Sequence, residues 1–341
     1  YGHSEPTIKQ AIIDALSGGF VLGGPNPYEA RLAELMVERF PAVELIRFCN
    51  SGTEANEAAI KLAKRLTGRI EIISCKASYH GNTHGTMSIS DNEVKKSPFR
   101  PLLPNIRMIE FNNIESLEII TEHAACVIIE TIQGDAGMIE PTQAFMDSLR
   151  KKCNETGAIL IFDEVQVGMG RTGKMFAFEH YNVVPDILTL GKALGGGMPI
   201  GAFVSSYENM NKLSHHPMLG HITTFGGHPV VAAAANANIA VLKEENWIAE
   251  TEEKGLFLEN IIKTNNEISA IRRKGLFFAV EMVSADRVAL VIDKCLEKGL
   301  IGFWFLSVPN AFRLSPPLSI TYEQLEMAGK IILEAISETE V

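Results

Sequence analysis

Three short stretches of this chain carry residues whose types and spacing could do chemistry. Asn50-Ser51-Gly52-Thr53 falls between a β-branched run and an Ala-rich helical pattern. Two hydroxyls, a glycine that admits a close ligand and the free N–H groups of a helix start would cradle a phosphate. Equally, Ser51 or Thr53 could serve only as the helix N-cap. Asp163 closes the apolar run Ile159–Phe162, which puts a carboxylate at the carboxyl end of a strand, where open α/β sheets bind ligands. A buried carboxylate needs a cationic or hydrogen-bonding partner, and a structural ion pair with Arg171 would also meet that need. Lys192 follows the run Asp186–Leu190 and precedes Ala-Leu-Gly-Gly-Gly. Glycines beside it would let a bulky group approach its amine; an exposed loop lysine is the plain alternative.

Other patterns lead away from the chemistry they first suggest. Gly168-Met169-Gly170-Arg171-Thr172-Gly173 matches GxGxxG. Asp163-Glu164-Val165-Gln166 intervenes after the strand, however, and Lys174–Phe178 lacks the pattern of the long helix that a dinucleotide site opens. His215, His216, His221 and His228 fall within fourteen positions but lack the i, i+4 spacing of a zinc-binding helix, so incidental loop histidines are expected rather than a metal site. No GxSxG elbow, Walker A loop or CxxC pair is present, which leaves hydrolase, P-loop ATPase and zinc readings without support.

The elements that must position these residues alternate. Strand patterns cover Leu45–Cys49, Ile70–Ser74, Ala125–Ile129, Ala158–Phe162, Asp186–Leu190 and Ala202–Ser205, with helical patterns over Glu54–Leu66 and Phe145–Asn154. Continuous apolar strands separated by helices predict an α/β fold with a mixed, mostly parallel sheet covered on both faces. An Ala-rich helix over Val230–Lys243 leaves this core. Helix Ile248–Asn265, strands near Ile271 and over Gly275–Glu281, helix Ala285–Lys298, strand Ala311–Leu314 and helix Glu323–Ser337 then predict a smaller α+β unit. The expected division is an N-terminal segment 1–30, a large domain 31–240 and a small domain 241–341.

Composition bounds the rest. At 341 residues and 46% hydrophobic, the chain can bury a sizeable core. With 31 basic against 41 acidic side chains its net charge is −10, and no Lys/Arg-dense block offers a face to nucleic acid. No apolar run reaches the roughly 18 residues of a membrane helix. Five scattered cysteines, an odd number, suit buried thiols in a reducing compartment, so a cytoplasmic location is expected, although a sequence that opens at Tyr1 can have had a targeting segment before it.

Taken in order, seven segments carry a resemblance that none carries alone. They are Asn-Ser-Gly-Thr-Glu-Ala (50–55), Tyr-His-Gly (79–81), Glu-x-x-Gln-Gly (130–134), Asp-Glu-Val-Gln-x-Gly-x-Gly-Arg-Thr-Gly (163–173), Gly-Lys-Ala-Leu-Gly-Gly-Gly (191–197), Thr-Thr-Phe-Gly-Gly-His-Pro (223–229) and Arg-Leu-Ser-Pro-Pro-Leu (313–318). Together they resemble the class III (ω-amino acid) aminotransferases, fold type I enzymes that use pyridoxal 5′-phosphate. The likeness runs from Gly2-His3 to the C-terminal helix, entering the family pattern midway at Tyr1-Gly2-His3; residues 1–30 are expected to be an incomplete part of the active-site wall.

The resemblance implies a role for each residue. Lys192 would hold the cofactor as a Schiff base and then shuttle a proton. Asp163 would pair with the pyridinium nitrogen, which keeps the ring an electron acceptor. Ser51, Gly52 and Thr53 would hold the phosphate, Tyr79 would stack on the ring beside His80, and Gln166 would bond near the phenolic oxygen. Thr223 and Thr224 resemble residues that reach the phosphate of the neighbouring subunit's cofactor, which implies a homodimer with shared sites. Arg313 matches the arginine that grips a substrate carboxylate, and Asp135 stands where ornithine aminotransferases have its glutamate partner, one methylene shorter. Asn82 departs further: ornithine and acetylornithine enzymes often have an arginine there. The implied reaction moves an amino group from an ornithine- or N-acetylornithine-type donor to a 2-oxo acid such as 2-oxoglutarate. The segment from Gly18-Gly19-Phe20 to Leu35 also resembles glutamate-1-semialdehyde aminomutases, and a non-catalytic module of the same fold is the alternative from another class.

Overall fold

A computed structural model describes residues 1–19, 25–39, 44–305 and 307–339; Phe20 of the aminomutase-like segment lies outside them. Two helices, α1 (Pro6–Ser17) and α2 (Pro27–Arg39), precede strand β1 (Leu45–Cys49). Then come α3 (Gly52–Thr67), β2 (Glu71–Cys75), α4 (His84–Ile89), α5 (Glu93–Lys96), β3 (Ile106–Ile109), β4 (Ala124–Glu130), α6 (Gln143–Thr156), β5 (Ile159–Asp163), β6 (Ile187–Leu190) and β7 (Gly201–Ser205). The chain continues through α7 (Tyr207–Asn211), α8 (Pro229–Glu244), α9 (Trp247–Ile262), β8 (Ile268–Lys274), β9 (Phe277–Met282), α10 (Ala285–Glu297), β10 (Phe303–Trp304), β11 (Ala311–Leu314) and α11 (Tyr322–Glu338).

The large sheet has the order β1-β7-β6-β5-β4-β2-β3. Strand β7 runs antiparallel to both neighbours, while the other pairings are parallel, so the sheet is mixed and mostly parallel, as the apolar runs predict. Alternation along each strand sends successive side chains to opposite faces. Ile128 and Ile161 pack with Ala58, Ala59 and Leu62 of α3, whereas Ile129 and Phe162 join Phe145, Met146 and Leu149 of α6 on the other side. Burial on both faces is why β4 reads as an unbroken apolar run, all seven of its residues being buried. Ser51 caps α3 at its start and Gly68, in the left-handed region, ends it.

The second sheet is antiparallel, in the order β10-β11-β9-β8. Helices α9 and α10 pack beside it and α11 packs on both, and its core residues Phe278, Val280 and Phe312 belong to the same cluster as one face of the large sheet. Helices α1 and α2 both pack on α8, which touches the turn that carries Lys192. Helix α9 ends three residues before the sequence pattern suggests. There the Asn265 carboxamide accepts the N–H of Glu267 and the Thr264 hydroxyl donates to Ile261 O, local bonds that compete with the helix.

Candidate active site

Parallel strands deliver their carboxyl ends to one side of the sheet, and the chemistry-bearing residues sit there. Asp163 is the last residue of β5, Glu130 the last of β4, Ser51-Gly52-Thr53 follows β1, and Lys192 follows β6. A cavity of about 230 Å³ is lined by Ser51, Gly52, Thr53, Tyr79, His80, Asp163, Gln166 and Lys192. These are eight of the ten cofactor residues expected from the sequence. Thr223 and Thr224 are not in its wall; the Thr223 hydroxyl donates to Phe48 O at 3.1 Å and Thr224 is exposed.

One end of the cavity is built for an anion. Ser51 Oγ accepts the N–H of Glu54 at 3.2 Å, so Ser51 and not Thr53 is the N-cap of α3. The helix itself offers the N–H groups of Gly52 and Thr53 no acceptor. The turn is tight: a Cβ on Gly52 would lie 2.5 Å from Val165 Cγ1, and one on Gly81 would lie 2.2 Å from Thr53 Oγ1. Both glycines keep the wall thin where a ligand has to approach.

The same cavity holds a carboxylate with which no Lys or Arg among the described residues pairs. Asp163 is buried; its Oδ2 accepts from Asn56 Nδ2 at 2.7 Å and lies 2.8 Å from His80 Nδ1, while its Oδ1 accepts the N–H of Val165 at 3.0 Å. Asn56 is itself pinned, because the Thr189 hydroxyl donates to its Oδ1 at 2.7 Å. The ion pair with Arg171 that sequence alone allowed is not formed: that guanidinium donates to the carbonyls of Leu276 and Pro316. His80 Nε2 is buried without a hydrogen-bond partner among the described residues. Sequence reading missed Asn56, whose only signal is an amide on the otherwise apolar, Ala-rich face of α3.

Lys192 stands on a turn of 3₁₀ helix with φ +42°, in the left-handed region that side chains disfavour. Such strain tends to be kept at functional positions. Its amine forms no hydrogen bond or ion pair among the described residues. Tyr79 gives one wall, tied by its N–H to Glu130 Oε1 at 3.0 Å; the other carboxylate oxygen of Glu130 accepts the N–H of Gly134 at 3.0 Å. Gly134 in turn makes room for the Gln166 amide, which a Cβ there would meet at 2.4 Å. Burial pushes the Glu130 carboxyl up to about 7, against the opposing field of His80.

Arg313 projects from β11. Its Nη1 is 3.8 Å from Asp135 Oδ1, and its guanidinium lies 5.1 Å from the centroid of the Phe303 ring. Burial raises the Asp135 carboxyl above its usual range, opposed in order by Arg313, Lys192 and Lys95. The GMGRTG stretch makes turns at Gly170 and Gly173, both at positive φ, and leads to a short 3₁₀ helix (Ala177–His180) instead of a dinucleotide-binding helix. His228 caps α8, its Nδ1 accepting the N–H of Val230.

An anion cradle, a buried carboxylate, an aromatic wall and an unpaired amine in one cavity fit pyridoxal phosphate group by group: phosphate, pyridinium nitrogen, ring face and aldehyde. Comparison with known proteins points the same way. The model of the class-III aminotransferase family matches residues 1–336. An acetylornithine aminotransferase of Bacillus cereus is 37% identical over 342 residues, covering 98% of this chain and 86% of its own. An ornithine aminotransferase of Toxoplasma gondii, whose crystals show partial occupancy of pyridoxal phosphate at the active site, superposes with a TM-score of 0.90 at 28% identity, covering 98% of this chain and 82% of that one. A transaminase of the marine bacterium Virgibacillus gives a TM-score of 0.91 at 28% identity over 99% and 86%. Matched along almost its whole length in sequence and in fold, the chain belongs to the class III aminotransferases and is a transaminase that works with pyridoxal phosphate.

Proposed function

We propose that the enzyme transfers the terminal amino group of an ornithine- or N-acetylornithine-type donor to a 2-oxo acid such as 2-oxoglutarate, with Lys192 as its catalytic residue. The observation that carries this reading is the sharing of one cavity by Lys192, Asp163 and the start of α3. Bound there, pyridoxal phosphate would supply an aldehyde that exchanges amines and a ring that takes up the electrons of a deprotonated carbon.

The chain's own residues do the rest. Ser51, Gly52 and Thr53 hold the phosphate with helix N–H groups and hydroxyls. Asp163, kept in place by Asn56, His80 and Val165 N, would accept the ring N–H; Tyr79 would cover the ring face and Gln166 would bond to its oxygen substituent. Lys192 Nζ would hold the cofactor's aldehyde carbon, and its amine is the group placed to take a proton from the substrate carbon and return it. Arg313 grips the carboxylate next to the reacting carbon, and Asp135 neutralises that guanidinium when the donor brings no carboxylate there. In this reading the large unit, residues 31–240, carries the cofactor set and the small unit, residues 241–341, carries Arg313.

Thr223 and Thr224, outside the cavity of their own chain, complete the phosphate site of a second copy in a homodimer. The loop that carries them supports this reading, with Met218 78%, Leu219 68% and Ile222 68% exposed. An apolar surface of this kind marks an interface. The reaction is tested by the visible absorption of the holoenzyme before and after L-ornithine or N-acetyl-L-ornithine is added without an oxo acid. Bleaching by either donor, reversed by 2-oxoglutarate, is the expected result. A band that no ω-amino donor changes would sink the donor assignment, and turnover without any oxo acid would favour the aminomutase alternative.

A further inference from the structure

Strand β1 does more than lead into the phosphate-binding turn at Ser51. Its side chains alternate between the two faces of the sheet. Phe48 joins the core cluster of Leu32 and Met36 of α2, while Arg47, opposite Phe203 in the β1–β7 register, takes the face covered by α3. There its guanidinium meets residues 212–228, which link α7 to α8 without helix or strand. Nη1 donates to His221 O at 3.1 Å and Nη2 to Ser214 Oγ at 2.8 Å. Arg47 forms no ion pair among the described residues, so this half-buried charge is spent on the loop. Two cations of α3 touch the same segment. Lys61 Nζ lies 3.4 Å from His221 Nδ1, and Arg65 donates to the carbonyls of His215 and His216. The next residue of β1 holds the segment's far end, because Phe48 O accepts the Thr223 hydroxyl at 3.1 Å. That contact needs Gly226, where a Cβ would lie 2.2 Å from Thr223 Oγ1 and 2.3 Å from Phe48 O.

We propose that Arg47 is a positioning residue that sets Thr223 and Thr224 for the phosphate site of the second copy. Strand β1 then serves both sites of the dimer, its own through Ser51, Gly52 and Thr53 and its partner's through the 212–228 segment. The inference rests on the homodimer reading and deepens it. Fixing each residue of a loop costs about 1–2 kcal/mol of conformational entropy, and a segment without a helix or strand has few ladder bonds to offset that cost. A planar guanidinium, with its donors in a rigid fork, fixes two points of the segment at once, one of them two residues before Thr223. Without Arg47 the threonines would have to be ordered when the cofactor binds, and the loss would fall on the partner's site.

The test separates the chain that holds the lysine from the chain that lends the threonines. In Arg47→Met the pyridoxal phosphate concentration that half-saturates the enzyme should rise about tenfold, the worth of one hydrogen bond to a charged group. Occupancy is read by borohydride reduction and the pyridoxyl mass on the Lys192 peptide, so only sites that keep their lysine are counted. Heterodimers are isolated through two affinity tags. Arg47→Met paired with Lys192→Ala takes its threonines from an intact segment and should saturate within about twofold of wild type. Wild type paired with the double variant Arg47→Met/Lys192→Ala should saturate about tenfold more weakly, although the chain with the lysine is unaltered. Equal saturation of the two pairs, or the opposite order, would place the effect of Arg47 elsewhere and overturn the proposal, as would unchanged half-saturation in the Arg47→Met homodimer. If Arg47→Met does not fold, Ser214→Ala removes one of its partners from the loop and leaves β1 intact; the same pattern is then expected at about threefold, and its absence overturns the proposal too. A monomer by light scattering would strike the homodimer reading itself, whereas a dimer with the wrong pattern strikes Arg47 alone.

Discussion

At the scale of single residues the site depends on how Asp163 is held. In the proposed mechanism this carboxylate keeps a ring nitrogen protonated, so it cannot also be spent on an arginine of its own chain, and here it is fixed by an amide, an imidazole and a backbone N–H. Asn56→Ala should therefore cost about 1–3 kcal/mol, because it leaves the buried Thr189 hydroxyl unpaired and loosens Asp163; faster loss of cofactor on dialysis is the measurement, and retention equal to wild type would deny Asn56 this role. Lys192→Ala should lower turnover by about 10³-fold or more while the protein still folds, as circular dichroism would show. Glu130 adds a pH effect. Its carboxyl is raised to about 7 in the folded chain, against about 4.3 unfolded. Between those values the native state holds a proton that the unfolded chain has released, so this contribution to stability is complete below about pH 4.3 and lost as the pH rises through about 7. In denaturant melts across that window Glu130→Gln should show a shallower decline than wild type; parallel curves would contradict the assignment.

At the scale of elements, the start of α3 is pressed against the segment after β5. Because a Cβ added at Gly52 would lie 2.5 Å from Val165 Cγ1, Gly52→Ala should destabilise by about 1–3 kcal/mol through overpacking. Val165→Ala should relieve most of it, and a double-mutant cycle with no coupling would refute the contact. Elements of this kind were legible in the sequence where burial leaves a clear pattern. Strands β1 and β11 have the predicted limits, and β2, β4, β5, β6 and β7 lie within a residue of theirs; the central strands of the large sheet, covered on both faces, are apolar almost throughout. Helices α1 and α2 were not legible, because each presents only one side to α8 and their exposed faces retain Ile13, Leu16 and Val37. Strand β3, on the sheet edge, mixes Arg107 with apolar residues, and β10 has only two residues, both exposed. In the site, the residues of the cofactor cavity could be named from motifs in order along the chain. Asn56 could not, because only the fold shows which wall it stands on and which of its neighbours are already bonded.

At the scale of the molecule, the proposed homodimer has Thr223 and Thr224 of one copy complete the phosphate site of the other. Light scattering should give twice the mass of the chain, and mixing two inactive variants provides a sharper check. If Lys192 of one chain works with the threonines of the other, refolding Lys192→Ala together with Thr223→Ala/Thr224→Ala makes heterodimers with one intact site each, and about a quarter of wild-type activity should return. No recovery, with heterodimers shown to be present, would place the threonines elsewhere.

The proposed mechanism is tested most directly by the identity of the lysine that carries the cofactor. Borohydride reduction of the holoenzyme, followed by peptide mass mapping, should find the pyridoxyl mass on Lys192 alone. The same mass on any other lysine, or on none, would contradict it.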